Sequence, residues 1–548
     1  MLHRIIALTL LLAGITGCAT TSHPQQTASI ADKPSINNPI PDLLVDEMPQ
    51  DSDLLAEVER TAAEADRASA TYDDQAIRED IWDRIRDNFA MDLDQNNSRI
   101  DAQLRWFASH QAYMDRVTER AERYMHFIME HIETRDIPGE IALLPIVESA
   151  FDPFAYSHGR ASGVWQFIPS TGRLYGLKQD WWYDGRRDIR LATVAALRYL
   201  SALAREFDGD WMLALASYNS GAGTVRRAIR QNREKGLPTD YWSLNLPKET
   251  QDYVPKLLAL SKIIANPKQY GITLTPIVNE PYFAVVDTGS QIDLSQAAEL
   301  AEVDIEEIYK LNPAFNQWAT SPDGPHQILI PADKSDIFAA NLAQMPASQR
   351  IKWQRYKVKS GDNLISIARA FHTTPDALKQ VNPLTGNNIR SGETLLIPTA
   401  VKNPEQYSLS ASNRLTQKQS NQSVPGSTRV EHIVSAGDSF WELSRNHKVP
   451  VRSIAKWNGM APGDPLVPGQ KLVIWSKADS KKSKLTYKNR EVIRKVTYKV
   501  RSGDSLFKIA DKFNVRVSDI RKWNRMTKKK YLKPGETLVL YVDVTQTG

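Results

Sequence analysis

Apolar positions change rhythm several times along the chain, and each change marks a boundary. Arg4 is followed by a mostly apolar run from Ile5 to Ile15, the charged start and short greasy middle of a secretory signal. The run falls short of the roughly 20 apolar residues that a membrane-crossing helix needs, and no later stretch qualifies. From Ala19 to about Asp51 the chain is rich in Pro, Gln, Ser and Thr with little periodicity, the composition of a flexible tether. Between Ala76 and Glu133 there is neither Pro nor Gly. Apolar residues recur there at helical spacing (Ile81, Ile85, Phe89; Tyr113, Val117; Tyr124, Phe127, Ile128). Ile137-Pro138-Gly139 breaks this region. A second mainly helical block follows from Glu140 to about Tyr270, Ala-rich between Leu191 and Ala204.

Beyond it a motif returns three times. Tyr356-Lys357-Val358-Lys359-Ser360-Gly361-Asp362 is echoed by His432-Ile433-Val434-Ser435-Ala436-Gly437-Asp438 and by Tyr498-Lys499-Val500-Arg501-Ser502-Gly503-Asp504. An Asn lies 24 residues after each Val (Asn382, Asn458, Asn524), and each copy closes on Gly-x-x-Leu. The pattern predicts strand, helix, helix, strand. The Asp is expected to cap the first helix, and the Asn to end the second in a left-handed cap. Leu364, Ile367 and Ala368, like Leu506, Ile509 and Ala510, form apolar helix faces. The repeat resembles the LysM domain, which implies binding to N-acetylglucosamine-containing glycans such as peptidoglycan and chitin. A degenerate fourth copy is expected at Pro281 to Pro331, with a Val-to-Asn interval of 26 and no Gly-Asp turn.

Composition narrows the compartment. The 548 residues are too many for one core, and 41% hydrophobic with 24% charged residues suits soluble globular domains. A net charge of +5 would suit nucleic acid, an anionic membrane or an acidic polysaccharide alike. The export signal removes nucleic acid from that set. Cys18 is the sole cysteine, which excludes an intramolecular disulfide. Ile15-Thr16-Gly17-Cys18 resembles a bacterial lipobox, which implies that Cys18 becomes a lipidated N-terminus anchored in a membrane. Ala19 and Thr20 follow it rather than an inner-membrane retention aspartate. The implied location is therefore the periplasmic face of the outer membrane.

Three segments carry candidate chemistry. The first, Leu143-Leu144-Pro145-Ile146-Val147-Glu148-Ser149-Ala150-Phe151, sets Glu148 among apolar neighbours. Such surroundings raise a carboxyl pKa and would keep it protonated as an acid. The second is Gly163-Val164-Trp165-Gln166, and the third Ala216-Ser217-Tyr218-Asn219-Ser220-Gly221. Together they resemble the lytic transglycosylase family with a goose-lysozyme-like helical domain. That family is marked by a Glu-Ser pair, a Gly-hydrophobic-x-Gln segment and an Ala-x-Tyr-Asn segment followed by glycine. A fourth family element, Glu-Thr followed by Tyr-Val, matches Glu249-Thr250-Gln251-Asp252-Tyr253-Val254. Trp165 stands where many soluble relatives carry methionine, and Ser217 interrupts the more frequent Ala-Tyr-Asn.

The resemblance implies a peptidoglycan lytic transglycosylase with no cofactor and no metal. Glu148 would protonate the bond between N-acetylmuramic acid and N-acetylglucosamine. It would then take the proton from the muramoyl 6-hydroxyl, giving a 1,6-anhydro end without water. Ser149 is expected to bond Glu148 or substrate, Gln166 and Asn219 to bind sugar, and Tyr218 and Tyr253 to face developing charge or a sugar ring. Trp181-Trp182-Tyr183 is a candidate sugar platform, although such clusters are more often core. Gly221 and Gly223 serve close approach and turning.

The expected order of domains is a signal over 1–17, a tether over 18–75, a helical region over 76–136 and a mainly α lysozyme-like catalytic domain over 137–272. Small α+β (βααβ) LysM domains follow at 281–331 (degenerate), 355–399, 430–475 and 497–542, joined by linkers at 400–429 and 476–496. Peptidoglycan glycan strands and a membrane are the expected partners; no protein partner is assigned. One rival is a hydrolytic muramidase using Asp152, Asp184 or Asp188 as a second carboxylate. Another is a non-catalytic wall tether. A wall peptidase is disfavoured because Cys18 is committed to lipid, and His126 and His131 lack metalloprotease spacing.

Overall fold

The fold is a computed structural model that describes residues 53–60, 79–477 apart from isolated positions between 372 and 436, and much of 493–543. Cys18 and residues 478–492 of the second linker lie outside the described residues. In the first half the helices are α1 (53–60), α2 (Ile81–Asp87), α3 (Ser98–Ala108), α4 (Gln111–Ala121), α5 (Met125–Glu133) and α6 (Leu144–Ser149). They continue with α7 (Pro169–Leu174), α8 (Ile189–Glu206), α9 (Trp211–Ser220), α10 (Ala222–Glu234) and α11 (Lys248–Ala265).

Local chemistry starts and bends these helices. Asp188 begins α8 by accepting the N–H groups of Arg190 and Leu191 at 2.9 and 3.0 Å. The small side chains of α8 let it lie close to α9, which in turn packs on α11. Within α11, Pro255 has no N–H for the carbonyl of Gln251. Tyr241 donates its hydroxyl to that carbonyl at 2.9 Å, so the interruption is satisfied two residues before Tyr253. α1 falls inside the span read as tether, yet Leu54 and Val58 are buried in the catalytic core. Glu57 accepts from Arg135 at 2.6 Å and pairs with Arg198.

Among the described residues the second half holds four two-stranded antiparallel sheets, each cradling helices. The degenerate copy is β1 (Phe283–Asp287), α12 (Leu294–Ala301), α13 (Ile305–Leu311) and β2 (Gln327–Pro331), extended by α14 (Ser335–Gln344). The first full repeat is β3 (Lys352–Lys357), α15 (Leu364–Ala370), α16 (Pro375–Val381) and β4 (Thr394–Thr399). After α17 (Ala411–Ser420), the second is β5 (Ser427–Ile433), α18 (Phe440–His447), α19 (Val451–Trp457) and β6 (Lys471–Lys477). β7 (Ile493–Lys499), α20 (Val517–Trp523) and β8 (Thr537–Asp543) belong to the third.

Two readings of the repeat need correction. The Gly-Asp aspartate does not cap the helix. Asp362 accepts the N–H of Lys359 at 2.7 Å and the hydroxyl of Tyr356 at 2.8 Å, which ties the turn to the first strand. The next residue is the cap: Asn363 accepts from Ser366 N–H, and Ser439 from Glu442 N–H. Nor is the recurrent Asn left-handed, since φ of Asn458 is −107°. Its side chain is a bridge. Asn458 donates to Ile454 O and Val473 O and accepts from Val473 N–H, at 2.7–2.8 Å. Asn382 joins α16 to Leu396 in the same way, and Asn524 joins α20 to Val539. The degenerate copy keeps the device, with Asn312 bonded to both N–H and C=O of Leu329.

The 400–429 segment, read from composition as a flexible linker, is instead a structured strap. Val401 N–H and the Tyr407 hydroxyl both donate to Asp293 at 2.9 and 2.7 Å. Further on, α17 reaches the second repeat, where Gln419 donates to Asn458 at 2.8 Å. A polar composition served contacts between domains here.

Candidate active site

α6 carries Glu148 on its last turn and stops abruptly, because Ala150 and Phe151 both adopt left-handed backbone with φ of 52° and 54°. Neither residue is Gly, and such strain persists only where surrounding packing imposes it. Phe151 is fully buried, which supplies that packing. Glu148 is itself 5% exposed. Tyr253, presented by α11, donates its hydroxyl to Glu148 Oε1 at 2.5 Å. Burial, and then the adjacent Glu148 charge, push the Tyr253 phenol well above its ordinary value. It therefore stays protonated as a donor. Tyr218 of α9 is pushed up for the same two reasons and donates to Trp165 O at 2.8 Å. The carboxyl thus sits in a low-dielectric setting beside two neutral phenols.

The other segments converge on this point. Thr250 Oγ1 donates to Asn219 Oδ1 at 2.8 Å, and Asn219 Nδ2 to Glu249 Oε1 at 3.4 Å. These bonds couple α9 to the first turn of α11, one turn before Tyr253. Gln166 is buried with φ of 52° and donates Nε2 to Gly163 O at 2.8 Å. Gly163 has φ of 81°, and a Cβ there would lie 2.1 Å from Arg186 O, so only glycine fits. Arg186, paired with Asp184 at 2.8 Å, donates to Arg160 O and Phe167 O and braces the backbone around Gln166. Gly221 turns the chain from α9 into α10 with φ of 85°, whereas Gly223 lies within α10.

Some expected roles change. Ser149 follows Glu148 in sequence, but its hydroxyl donates to Pro145 O and Val164 O at 3.1 and 3.0 Å. It ties α6 to the Gln166 segment. Trp181-Trp182-Tyr183 is not an open platform: Trp182 and Tyr183 are buried against Trp318 and Phe315 of the degenerate repeat. Backbone bonds from Asp184 to Ala314 O and from Asn316 to Trp182 O complete that junction, both N–H groups donating.

The carboxylates considered for a hydrolytic mechanism are otherwise engaged. Asp184 holds Arg186, Asp188 caps α8 and accepts from Tyr183 at 2.7 Å, and Asp152 accepts from Phe154 N–H at 2.9 Å. Two acids were given no role by the sequence reading, although Glu249 stands in the fourth motif segment. Glu140 is fully buried and held above the usual carboxylate range by desolvation, but it accepts backbone N–H groups of Ala90 and Met91 and serves as a staple. Glu249 joins the Asn219 network; its place one helical turn before Tyr253 was the available signal.

The comparisons with known proteins agree with this architecture. The family model described as the Transglycosylase SLT domain matches residues 126–239. The LysM-like domain of lytic transglycosylase MltD matches 282–347, and the LysM domain matches 356–398, 432–475 and 498–540. The combination defines a lytic transglycosylase with wall-binding repeats. The membrane-bound lytic murein transglycosylase D of Escherichia coli is 36% identical over 412 residues, covering 73% of this chain and 86% of that protein. The chain belongs to the membrane-bound lytic murein transglycosylase D family. An autolysin of Enterococcus faecalis is 29% identical over 31% of this chain and 22% of its own length. An inactive mutant of the lytic transglycosylase Slt from Pseudomonas aeruginosa overlaps at 26% identity and a TM-score of 0.22, covering 28% of this chain and 25% of that one.

Proposed function

We propose that this enzyme cleaves the β-1,4 bond between N-acetylmuramic acid and N-acetylglucosamine in peptidoglycan and leaves a 1,6-anhydromuramoyl end, with Glu148 as acid and then base. The observation that carries this reading is the buried Tyr253–Glu148 hydrogen bond at 2.5 Å. In the first step the Glu148 carboxyl gives its proton to the bridging oxygen as the glycosidic bond breaks. Tyr253 then donates to the carboxylate that remains. In the second step that carboxylate takes the 6-hydroxyl proton while the 6-oxygen closes on the anomeric carbon. The proton returns to Glu148, and no water is consumed.

In this reading Gln166 and Asn219 line the sugar site and Tyr218 closes its floor. The LysM repeats bind glycan strands and raise the local concentration of enzyme on the wall. Cys18 carries the lipid that holds the protein at the periplasmic face of the outer membrane. The membrane-bound relative supports attachment, and among the described residues no helix is long and apolar enough to cross a membrane.

Glu148→Gln in the full chain is expected to abolish release of soluble muropeptides from purified sacculi while sacculus pelleting is retained. Mass spectrometry of the wild-type digest is expected to show anhydromuropeptides. Reducing muramic ends alone would refute the transglycosylase assignment.

A further inference from the structure

The loop over 152–163 connects the end of α6, which bears Glu148, to the segment that bears Gln166. Two of its side chains reach the second LysM repeat. Tyr156 donates its hydroxyl to Asp464 at 3.1 and 3.0 Å to the two carboxylate oxygens, and Arg160 Nε lies 2.7 Å from Oδ1. Asp464 belongs to the turn between α19 and β6 and is fixed from its own side, since Ala461 N–H donates to Oδ2 at 2.8 Å. Its side chain is only 12% exposed. One carboxylate is thus shared between a repeat and the loop joining two site segments.

A second contact grips the same loop. Arg414 of α17 lies over the Phe154 ring at 4.3 Å, and Gln419 of the same helix holds Asn458 of the second repeat. The sequence distinguishes this repeat from its siblings. Six residues after the bridging Asn, the second copy has Asp464, the first has Asn388 and the third has Lys530. An asparagine lacks the charge to pair Arg160, and a lysine would repel it.

We propose that Asp464 is a positioning residue: it docks the second LysM repeat on the catalytic loop and holds that loop, and with it the Glu148–Gln166 geometry, in the productive arrangement. The repeat is then a fixed extension of the catalytic domain, and a glycan strand held by it is presented beside Glu148. This rests on the reading in which Glu148 cleaves strands that the repeats bind. Displacement of about 1 Å in such a support is enough to cost a large factor in rate without touching the reacting groups.

The test uses the full-length chain with Asp464→Lys, Arg160→Ala and the charge swap Arg160→Asp with Asp464→Arg. Release of anhydromuropeptides from sacculi gives kcat and KM, sacculus pelleting gives binding, and amide hydrogen exchange reports on residues 152–166. Each single variant is expected to lower kcat about ten-fold or more, with pelleting unchanged and faster exchange in the loop. The charge swap is expected to recover only the share of the loss carried by the ion pair, because arginine at 464 offers no acceptor to Tyr156 or to Ala461 N–H. Arg160→Ala leaves the second repeat untouched, so its result stands even if Asp464→Lys misfolds that repeat. Wild-type kcat and loop exchange in Arg160→Ala would overturn the proposal. So would a loss confined to pelleting and KM. Failure of the underlying reading looks different: wild type itself would release no anhydro product, or Glu148→Gln would remain active.

Discussion

Glu148 has one neighbour whose removal isolates its contribution. Tyr253→Phe keeps the ring and deletes the hydroxyl that faces Oε1. A hydrogen bond to a charged group contributes about 2 kcal/mol, so kcat is expected to fall roughly thirty-fold with KM little changed. Steady-state kinetics on sacculi check this, and an unchanged kcat would remove Tyr253 from the mechanism. The segments bearing Glu148, Gln166, Tyr218, Asn219 and Tyr253 were singled out by their motifs; the structure joins α6 to α11 through Glu148 and Tyr253, α6 to the Gln166 segment through Ser149, and α9 to α11 through Asn219. What each side chain touches was not legible. Ser149 is adjacent to Glu148 in sequence, yet helix geometry turns its hydroxyl to Val164 O. His131 makes a second residue-scale case. It is 1% exposed, and burial, aided by the Arg135 charge, holds its pKa down at about 3. Unfolded chain takes up that proton from about pH 6.5 downward while the folded state does not. Stability from His131 is therefore intact above about pH 6.5 and is lost as pH falls toward about 3. Thermal melts between about pH 7.5 and 4 are expected to show this slope, and His131→Gln to reduce it, leaving the share of His126, which burial also holds down at about 4.

Within a repeat, one amide side chain joins helix to strand. Asn458→Ala would strip Val473 of partners for both its N–H and its C=O. Each buried backbone group left unpaired costs about 1–3 kcal/mol. Amide exchange is expected to accelerate across α19 and β6 while β3 and β4 keep their protection, and uniform protection would show the bridge to be dispensable. Strand, helix, helix and strand were readable because periodicity switches between Gly-x-x-Leu and i, i+3, i+4 spacing. The reasons for the recurring polar residues were not. An Asn after a helix suggests a left-handed cap in local terms, but its partner here is a strand 15 residues further on. Local rules have no access to that contact.

Across the whole molecule, the largest departure from the sequence reading is the strap between the first two full repeats. Its composition is polar, and low hydrophobicity alone reads as a linker. Its hydrophobic content is concentrated in a few anchors, chiefly Tyr407, which is 1% exposed. Tyr407 and Val401 N–H both reach Asp293, a carboxylate raised above its usual range by burial and placed at the start of α12. The degenerate repeat therefore draws part of its stability from residues that follow the first full repeat in sequence. A chain ending after β4 would leave Asp293 Oδ2 without these two donors, whereas a chain ending after α17 would keep them. The shorter chain is expected to lose about 2–4 kcal/mol in the melting of the degenerate repeat, from two donors at about 1–2 kcal/mol each. Tyr407→Phe in the full chain should reproduce about half of that, because it removes one donor and keeps the ring. Differential scanning calorimetry of the four proteins (full chain, both truncations and Tyr407→Phe) decides the matter. Equal melting of both truncations would mean that the strap merely lies on the repeat. A graded loss, full chain above Tyr407→Phe above the shorter chain, would make the strap part of the domain that supports the catalytic half through Trp182 and Tyr183.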